Sequence, residues 1–446
     1  MTDPTASADP PDRPASADPP DRPARTDLPT PSGLPDESTL RTEARAWYEA
    51  NWDPDLTVGQ WFLRMATDRW AYPSWPVAWW GRGLPTPLAK VVREERRRVG
   101  ALGPPSGIGP SLLAHLLFDH GTDEQTARYL WGMTVQGWTT CQMLSEPDAG
   151  SDLAGARCRA ERDGEEWVIT GSKIWTSLAD VVDFGMLLAR TDWDVPKHAG
   201  LTFFLIRREQ PGVEIRPLRQ MTGDATFNQV FFDEARVPDA DVLGPVGAGW
   251  AVTRTFLAHE RNSFNPASHE GGPFGKVPLE ARVGDVVEGL RRPVSSNASG
   301  RGIGRILDGL VDRFGRGDDP LVRQQLAALH TRRKLMTYTN LRARADAGAR
   351  PLPGVEGPIS KLTVSELTRT QRELGLAVQG PHGMLYGADA AAPQFQYFAL
   401  SSPSISIAGG TDEIQRNSMG ERVLGLPTEP RDGADRPFGE VPASGM

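Results

Sequence analysis

The period of the hydrophobic pattern changes twice along this chain, and this change constrains its fold most strongly. Over residues 37–138 apolar residues recur at helical spacing, as in TVGQWFLRMATDRW. Over about 139–245 they alternate with a period of two, in short segments separated by Gly, Pro and Asp. The remaining long segments return to the helical period. The sequence therefore predicts an α+β fold with an N-terminal all-α domain, a middle antiparallel β-domain and a C-terminal helical bundle.

The two ends and one internal stretch differ in composition from the rest of the chain. The unit ASADPPDRP occurs at 6–14 and again at 15–23, and it has almost no large apolar residue. Such a segment cannot bury enough surface to offset the entropy of ordering it, so we expect a disordered tail. The predicted parts are a tail at 1–36, a helical domain at 37–138, a β-domain at 139–246, a helical bundle at 247–430 with a Gly/Pro/Ser-rich insertion at 264–304, and an irregular tail at 431–446.

Composition excludes several classes of protein. The 446 residues carry a formal net charge of −8, which disfavours nucleic-acid binding. There is no apolar run near the ~20 residues that a membrane-spanning helix needs, and no apolar signal region, so we expect a cytoplasmic protein without membrane attachment. The two cysteines, Cys141 and Cys158, are expected to be small core residues. No dinucleotide, phosphate-loop or zinc motif is present, which disfavours a metal enzyme.

Two neighbouring segments carry the first chemical signal. LSEPDAGSDLAG, residues 144–155, concentrates small and polar residues where the helical region meets the first strands. Its backbone N–H groups could approach a flat polar heterocycle or a phosphate, although an ordinary loop has the same composition. KIWTS, residues 173–177, places an indole and two hydroxyls at a strand end. Taken alone, Trp175 could equally be a core residue.

Four segments together resemble the acyl-CoA dehydrogenase family. They are LSEPDAGSDLAG, WVITGSKIWTS, MTGDATFNQVFFDEARVP with VLGPVGAGW, and AGGTDEIQRNSMGERVLG. Their order and spacing also match, and the resemblance covers about residues 37 to 427. It implies an N-terminal helical domain, a middle β-domain and a C-terminal four-helix bundle, in agreement with the period of the hydrophobic pattern. The resemblance also implies bound FAD.

The resemblance assigns roles to five residues of the β-domain. Ser145 matches a residue whose hydroxyl lies near the flavin pyrimidine edge or N5, and Trp175 matches the residue that packs on the isoalloxazine. Ser177 matches a hydroxyl residue that hydrogen-bonds the flavin. Gly150 and Ser151 match the turn that approaches the phosphopantetheine of CoA. Such contacts orient a cofactor and tune its electronics.

The resemblance also implies FAD contacts from the helical bundle. Arg313 matches an Arg that reaches the pyrophosphate of a neighbouring subunit's FAD, although the run DRFGRG departs from the family's usual one. In QGPHG, Pro381 and His382 replace more usual residues, so the match is kept only for the two flanking glycines. The further FAD-binding residues implied in this way are Gln324, Gly380, Gly383, Thr411 and Glu413.

The resemblance implies a catalytic base that is displaced from its usual place in the family. Most members have a Glu directly before the late Gly-Thr pair, where this chain has Gly409, whose backbone N–H remains able to polarise a thioester carbonyl. A minority supply the Glu from the first long helix of the bundle, immediately before an Arg, and FLAHERNSF here has Glu260 before Arg261. Glu260 shares a helix face with Phe256, and burial there would raise its pKa toward neutrality. We therefore predict Glu260 as the base and Arg261 as its support or a substrate contact; the alternative is a solvated Glu260 paired with Arg254 or Arg261.

The function implied is FAD-dependent α,β-dehydrogenation of an acyl-CoA thioester, or of an acyl-carrier thioester. The family's usual electron acceptor is an electron-transferring flavoprotein, and its usual assembly is a homodimer or homotetramer, sometimes heteromeric. Two alternatives remain open. One is a flavin monooxygenase on the same fold, which the presence of Glu260 argues against. The other is a non-catalytic subunit that completes a partner's FAD site, which the altered positions Arg316 and Pro381 keep open.

Overall fold

The structure is a computed structural model, and it describes residues 33–263, 272–291, 302–346, 356–428 and 435–441. Nearly all of the predicted N-terminal tail, and parts of the predicted insertion and C-terminal tail, lie outside these ranges. The side chain of Arg261 also lies outside the described part of the chain. Within that part, no helix combines the length and the apolar character that crossing a bilayer requires.

Five helices form the N-terminal part of the molecule. The first begins at Asp36, whose carboxylate accepts the backbone N–H groups of Ser38 and Thr39, both at 3.0 Å. This is the capping expected of an Asp that precedes a helix. A π-helical turn, Gly109–Leu113, leads directly into the fourth helix. The five helices are α1 Glu37–Asn51, α2 Val58–Thr67, α3 Thr86–Val99, α4 Ala114–His120 and α5 Asp123–Thr134.

Aromatic side chains fill the centre of this helical part. Trp61 is fully buried, and its indole N–H donates to the carbonyl of Leu102 at 2.9 Å. The ring of Trp47 lies 5.7 Å from that of Trp70 in a stacked arrangement. Packed aromatic rings contribute strongly to a core because each buries a large apolar area. The tryptophans near the start of the chain therefore serve packing.

Eight strands form one sheet in the order β6-β7-β3-β2-β4-β5-β8, with β1 paired to β4. Most pairs are antiparallel, as predicted, but β1 and β2 each pair with β4 in parallel. Every residue of β4 is buried, which explains its nearly continuous apolar run. The strands are β1 Thr140–Met143, β2 Arg159–Asp163, β3 Glu166–Ser177, β4 Phe184–Arg190, β5 Leu201–Arg207, β6 Val213–Leu218, β7 Phe227–Pro238 and β8 Val242–Leu243.

The sixth helix, α6 Gly249–Ser263, packs on β4, β5, α4 and the π-helical turn. Its residues Val252 and Phe256 are fully buried in the same apolar cluster as α1–α5. The helix predicted to open the C-terminal bundle is thus fixed by the sheet and by the N-terminal helices. A short helix, α7 Val283–Arg291, follows within the predicted insertion.

Five further helices form a separate C-terminal cluster. The central one, α10, packs against α8, α9, α11 and α12. Gly375 lets α11 approach it, because a Cβ on this residue would lie 1.9 Å from the ring of Phe395. The apolar core of this cluster includes Leu307 and Leu374. The helices are α8 Ile303–Arg313, α9 Pro320–Asp346, α10 Glu356–Gln379, α11 Pro393–Ser401 and α12 Asp412–Arg422.

Candidate functional site

The loop Leu144–Gly155 lies directly against the end of strand β3. The backbone N–H of Ile174 donates to the carbonyl of Ser145 at 2.9 Å, which places Ser145 beside the residue that precedes Trp175. Ser145 is half-buried, whereas Gly150 and Ser151 lie exposed further along the loop. The two segments that carried the first chemical signal are therefore neighbours in space.

A buried ion pair fixes this arrangement, and sequence reasoning missed it. Lys173 is fully buried, and its ammonium group donates to Glu146 at 2.7 Å and to the carbonyl of Leu144 at 2.9 Å. Glu146 also accepts the backbone N–H groups of Arg157 at 2.7 Å and Cys158 at 2.9 Å. A buried carboxylate is tolerated only when it is paired and hydrogen-bonded in this way. The available signal was the inward register of Lys173 on a strand whose alternate residues face the core.

Trp175 stands out from the sheet on an irregular turn of the backbone. Its φ is 61°, and the pairing of β3 with β7 shifts register between Lys173 and Thr176. Non-glycine residues with positive φ are strained and cluster at functional sites. The indole is 56% exposed and meets the ring of Phe227 edge-on, with 5.9 Å between centroids. Ser177, half-buried, pairs with the same Phe227 across the ladder.

These residues fit one edge of an isoalloxazine ring. Trp175 supplies an accessible flat apolar surface, and Ser145 and Ser177 supply hydroxyls at the same strand end. Between Trp175 and Ser177, the buried hydroxyl of Thr176 has no hydrogen-bond partner among the described residues. A buried polar atom without a partner is uncommon in a folded protein. The combination is that of a site shaped for a flat, polar-edged ligand.

Glu260 lies near the C-terminal end of α6 and is half-buried, while Phe256 one turn earlier is fully buried. Two contacts with α4 hold this end of the helix. The imidazole rings of His115 and His259 stack with centroids 4.3 Å apart and planes 3° from parallel. One turn away, His120 Nε2 lies 2.9 Å from Thr255 Oγ1.

The stacked imidazoles are neutral near pH 7. Burial, together with the neighbouring His259, lowers the pKa of His115 to about 4, against a small opposing effect of Asp119. Burial also lowers the pKa of His259. A stack of two charged imidazoles would be repulsive, so neutrality is a condition for this contact. The residue preceding Glu260 is thus packed as an uncharged ring.

The structure places Arg313 and the glycine-rich turn at one end of the C-terminal cluster. Arg313 is exposed and donates to the carbonyl of Ala391 at 2.6 Å. The adjacent Phe314 ring lies 5.5 Å from that of His382, which stands between Gly380 and Gly383. Gly380 is exposed with φ 55°, and Gly383 is half-buried. Gln324 is exposed on the neighbouring helix α9.

The turn before α12 carries the remaining predicted contacts. Gly409 has φ 68°, which favours glycine, and its carbonyl accepts a hydrogen bond from Gln415 at 2.9 Å. Thr411 caps α12 by accepting the backbone N–H of Ile414 at 3.2 Å. Glu413 is exposed and pairs with Arg416 at 3.5 Å.

Sequence reasoning also missed Asp412, which anchors this turn. Its buried carboxylate accepts from Lys361 at 2.8 Å and Arg369 at 3.0 Å, both on α10. Burial opposes its ionisation, but hydrogen bonds from Lys361 and Ser365 outweigh burial and keep the pKa of Asp412 below its usual value. The signal was available, because residues 361, 365 and 369 recur every four positions on one helix face.

The predicted site residues therefore form separate groups, and each group is held in place by a different part of the fold. Ser145, Trp175 and Ser177 meet at the end of β3. Glu260 is held by α4 and the sheet, whereas Gly409 is held by α12, which packs on α10. The alignment of Glu260 and Gly409 across one substrate remains a prediction.

Family models and curated proteins agree on the relationship of this chain. The model described as acyl-CoA dehydrogenase, middle domain, matches residues 141–235, and the model described as acyl-CoA dehydrogenase, C-terminal domain, matches residues 311–424. Acyl-CoA dehydrogenase IpdE1 of Mycobacterium tuberculosis is 37% identical over 371 residues, which are 83% of this chain and 88% of that protein. Acyl-CoA dehydrogenase FadE34 of the same organism is 34% identical over 80% of this chain and 44% of its own length.

Solved structures share the fold over most of the chain. The structure named Tcur3481-Tcur3483 steroid ACAD is 25% identical, with a TM-score of 0.62, and the match covers 88% of this chain and 98% of that one. The ChsE4-ChsE5 complex from Mycobacterium tuberculosis is 24% identical, with a TM-score of 0.60, over 89% of this chain and 99% of that one. These matches confirm the α+β architecture predicted from the hydrophobic pattern.

Proposed function

The chain belongs to the acyl-CoA dehydrogenase family, oxidoreductases that act on a CH–CH group, and from this premise we propose that it desaturates an acyl-CoA thioester with FAD and Glu260. The observation that carries the proposal is the site at the end of β3. There the exposed indole of Trp175 and the hydroxyl residues Ser145 and Ser177 lie together, which supports a flavin edge as the ligand of this site.

FAD, when bound, supplies the hydride acceptor of the reaction at its N5 atom. In this proposal Trp175 packs on the flavin ring, and Ser145 and Ser177 hydrogen-bond its polar edge. The buried pair of Lys173 and Glu146 keeps these hydroxyls in place by joining the loop to the strand. Pre-positioned groups of this kind orient a cofactor without reorganisation during the reaction.

Glu260 is the proposed base that accepts the α-proton of the thioester. It is half-buried one turn after the buried Phe256, on a helix end that the stacked histidines and the His120–Thr255 contact hold against α4. A base must be held within reach of the proton that it accepts, and the fixed helix end provides such a position. The proton goes to Glu260 while the β-hydrogen leaves as hydride, and a carbon–carbon double bond forms. Arg261, next in sequence, is the proposed support of Glu260 or of the substrate.

The thioester carbonyl needs a hydrogen-bond donor as negative charge develops on its oxygen. Gly409 stands in the family's usual base position, and its backbone N–H is the proposed donor. Gly150 and Ser151 are the proposed contacts of the phosphopantetheine chain. Their exposure on the loop beside β3 leaves their backbone groups accessible to a ligand.

The C-terminal cluster supplies the remaining proposed FAD contacts and the proposed assembly surface. Arg313 and the turn from Gly380 to Gly383 lie at one end of the cluster, as contacts of a neighbouring subunit's FAD would. Helix α9 also exposes Leu321, Leu335 and Tyr338. Exposed apolar residues one turn apart, as Leu335 and Tyr338 are, favour association. We therefore propose that the protein assembles as a homodimer, a homotetramer or a heteromer. The names of the two solved relatives above, which each give a pair of chains, support an assembly of this kind.

Anaerobic bleaching of the flavin tests the function. The flavin-loaded protein should lose its visible absorbance when mixed with a suitable acyl-CoA, and the product should be the α,β-enoyl thioester. The panel should include straight-chain and steroid-derived acyl groups, since one solved relative is named a steroid enzyme, together with a carrier-protein thioester. Electron-transferring flavoprotein is the proposed acceptor and should restore the absorbance.

Two other outcomes would assign a different function. A flavin that is bleached only by an added reductant, with oxygen then consumed, would indicate a monooxygenase. A colourless protein that takes up flavin only beside a second chain would indicate a non-catalytic subunit. Either outcome would contradict the proposed desaturation by this chain.

A further inference from the structure

The described part of the C-terminal tail, residues 435–441, lies against the β-domain, and we call it the C-terminal strap. The backbone N–H of Phe438 donates to the carbonyl of Val195 at 2.9 Å, and that of Gly439 to Trp193 at 2.8 Å. Phe438 is only 2% exposed, and its ring lies 5.6 Å from that of Trp193. A segment predicted as an irregular tail thus places a buried aromatic residue in the loop between β4 and β5.

The ring of Phe438 covers a buried arginine. The guanidinium carbon of Arg190 lies 3.5 Å from the ring centroid, and the side chain is fully buried. Its three nitrogens donate to the carbonyls of Ala154 at 2.7 Å, Ala156 at 3.0 Å and Lys197 at 3.1 Å. Burial lowers the pKa of Arg190 to about 10, so the group remains charged near neutral pH. Cation–π contacts are strongest when they are desolvated, as this one is.

One further contact of the strap, and one of the β4–β5 loop that it holds, lead to the loop that carries Gly150 and Ser151. Arg157 donates to the carbonyl of Val441 at 2.9 Å, and its guanidinium carbon lies 4.8 Å from the Phe438 ring centroid. Lys197, in the loop that the strap holds, contacts both carboxylate oxygens of Asp152 at 2.7 and 2.8 Å. Asp152 directly follows Ser151, so the strap reaches the proposed thioester turn by two routes.

We propose that Phe438 is a positioning residue for the acyl-CoA thioester. By covering Arg190 it excludes water from the guanidinium whose donors hold the carbonyls of Ala154 and Ala156, and so fixes the backbone that follows Gly150 and Ser151. Water that reached Arg190 would compete for those donors and loosen the loop. The inference rests on the proposed function, because it takes the turn at Gly150 and Ser151 as the contact of the thioester's pantetheine chain.

The strap should act on substrate binding rather than on the chemical step. Trp175 and Ser145 are fixed by the Lys173–Glu146 pair, and Glu260 is fixed by contacts with α4. None of these contacts passes through Phe438. An interaction that holds the ground state and the transition state equally changes KM and leaves kcat unaltered.

The test compares Phe438→Ala with Phe438→Tyr in the full-length, flavin-loaded protein. With an acyl-CoA that reduces the wild type, Phe438→Ala should raise KM about tenfold, which corresponds to about 1.4 kcal/mol, and should leave kcat within about twofold. Phe438→Tyr keeps a ring over Arg190 and should restore KM. The matched control is Phe231→Ala, since Phe231 also lies under an arginine, Arg216 at 4.6 Å, but on strand β7 rather than in the strap.

Hydrogen exchange of the same proteins shows whether the loop itself responds. The amides of Gly155 and Ala156, which donate to the carbonyls of Asp152 and Leu153 in the loop that Arg190 holds, should exchange faster in Phe438→Ala than in the wild type. A chain that ends at Ala434 lacks the strap and should reproduce both effects if Phe438→Ala folds poorly. An unchanged KM in Phe438→Ala and in the shortened chain, with a wild type that is reduced, would overturn the strap's role alone. A wild type that no thioester reduces would overturn the proposed function and this role with it.

Discussion

The helical regions before and after the sheet differ in how much apolar surface they leave exposed to solvent. Helices α1–α6 surround a core of fully buried aromatic residues, including Trp61 and Phe256. Helices α8–α12 bury a smaller core, and these helices together with the segments that join and follow them leave many large apolar side chains in solvent. Those exposed by more than a third are Leu321, Leu335, Tyr338, Leu341, Val364, Met384, Leu385, Tyr386, Ile405, Ile407, Ile414, Val423, Leu424 and Leu426.

This difference shows how the two regions obtain their stability. The N-terminal helices complete their core with the sheet and α6, whereas the C-terminal cluster has exposed apolar side chains that its own helices do not cover. Exposed patches of this kind are usually interaction sites. The FAD contacts predicted at Arg313 and Gly380 lie in the second region, which agrees with the proposal that a neighbouring subunit completes the site.

The largest effect on folding is expected from Phe256→Ala. Removal of a fully buried ring leaves a cavity in the N-terminal core, so the free energy of unfolding should fall by about 3–5 kcal/mol. Leu335→Ala, on the exposed face of α9, should change the monomer's free energy of unfolding by less than about 0.5 kcal/mol. Chemical denaturation at low protein concentration measures both. Equal losses would show that the two regions do not differ as described.

A second test addresses the buried pair that joins the loop to β3. Lys173→Met leaves Glu146 buried without its cation, and the free energy of unfolding should fall by about 3 kcal/mol. The double variant Lys173→Met/Glu146→Gln removes both charges and should recover part of that loss. A single variant as stable as the wild type would show that the pair does not hold the loop.

The histidine stack gives the N-terminal region a pH dependence. In the folded state the pKa of His115 is about 4, below the ordinary value of 6.5, so the unfolded state binds more protons between these values. The free energy of unfolding should therefore be highest above pH 6.5 and fall as the pH drops toward 4. The expected fall is about 2 kcal/mol after a discount for partial solvent access. Thermal unfolding measured across this range should give an unfolding temperature that falls with decreasing pH in the wild type and falls less steeply in His115→Phe. An identical slope in the two proteins would assign it to other groups.

The double variant Leu335→Glu/Tyr338→Glu should have the smallest effect on the folding of the monomer. It should nevertheless have a clear effect on the assembly of the oligomer. Both side chains are more than half exposed, so the free energy of unfolding of the monomer should change by about 0.5 kcal/mol or less. Buried carboxylates at an apolar interface are costly, so the oligomer should dissociate. Light scattering after size exclusion measures the mass. An unchanged oligomer would place the interface elsewhere.

Local signals predicted much of the fold. The change of period separated the helical regions from the sheet, and Asp36, a residue type that favours helix starts, caps α1. Cys141 and Cys158 are both free and buried, as predicted for small core residues. Each of these features depends on neighbours that are close in sequence, which is why the sequence alone was sufficient.

Features that depend on distant partners were not predicted. The chain has 49 basic and 57 acidic side chains, so nothing local selects Glu146 for Lys173 or Asp412 for Lys361. Helix α6 was expected in the C-terminal bundle because it precedes those helices in sequence, but its apolar face packs on β5 and α4. Phe438 lies in a segment without periodicity, and its burial depends on Arg190 in the β-domain.

The most direct test of the central claim is the rate at which an acyl-CoA reduces the flavin anaerobically in Glu260→Gln. If Glu260 is the base, this variant should bind FAD with an unaltered spectrum and be reduced more than about 100-fold more slowly than the wild type. Glu49→Gln, on the exposed face of α1, is the matched control and should be reduced at the wild-type rate. Reduction of Glu260→Gln at the wild-type rate would contradict the assignment of the base.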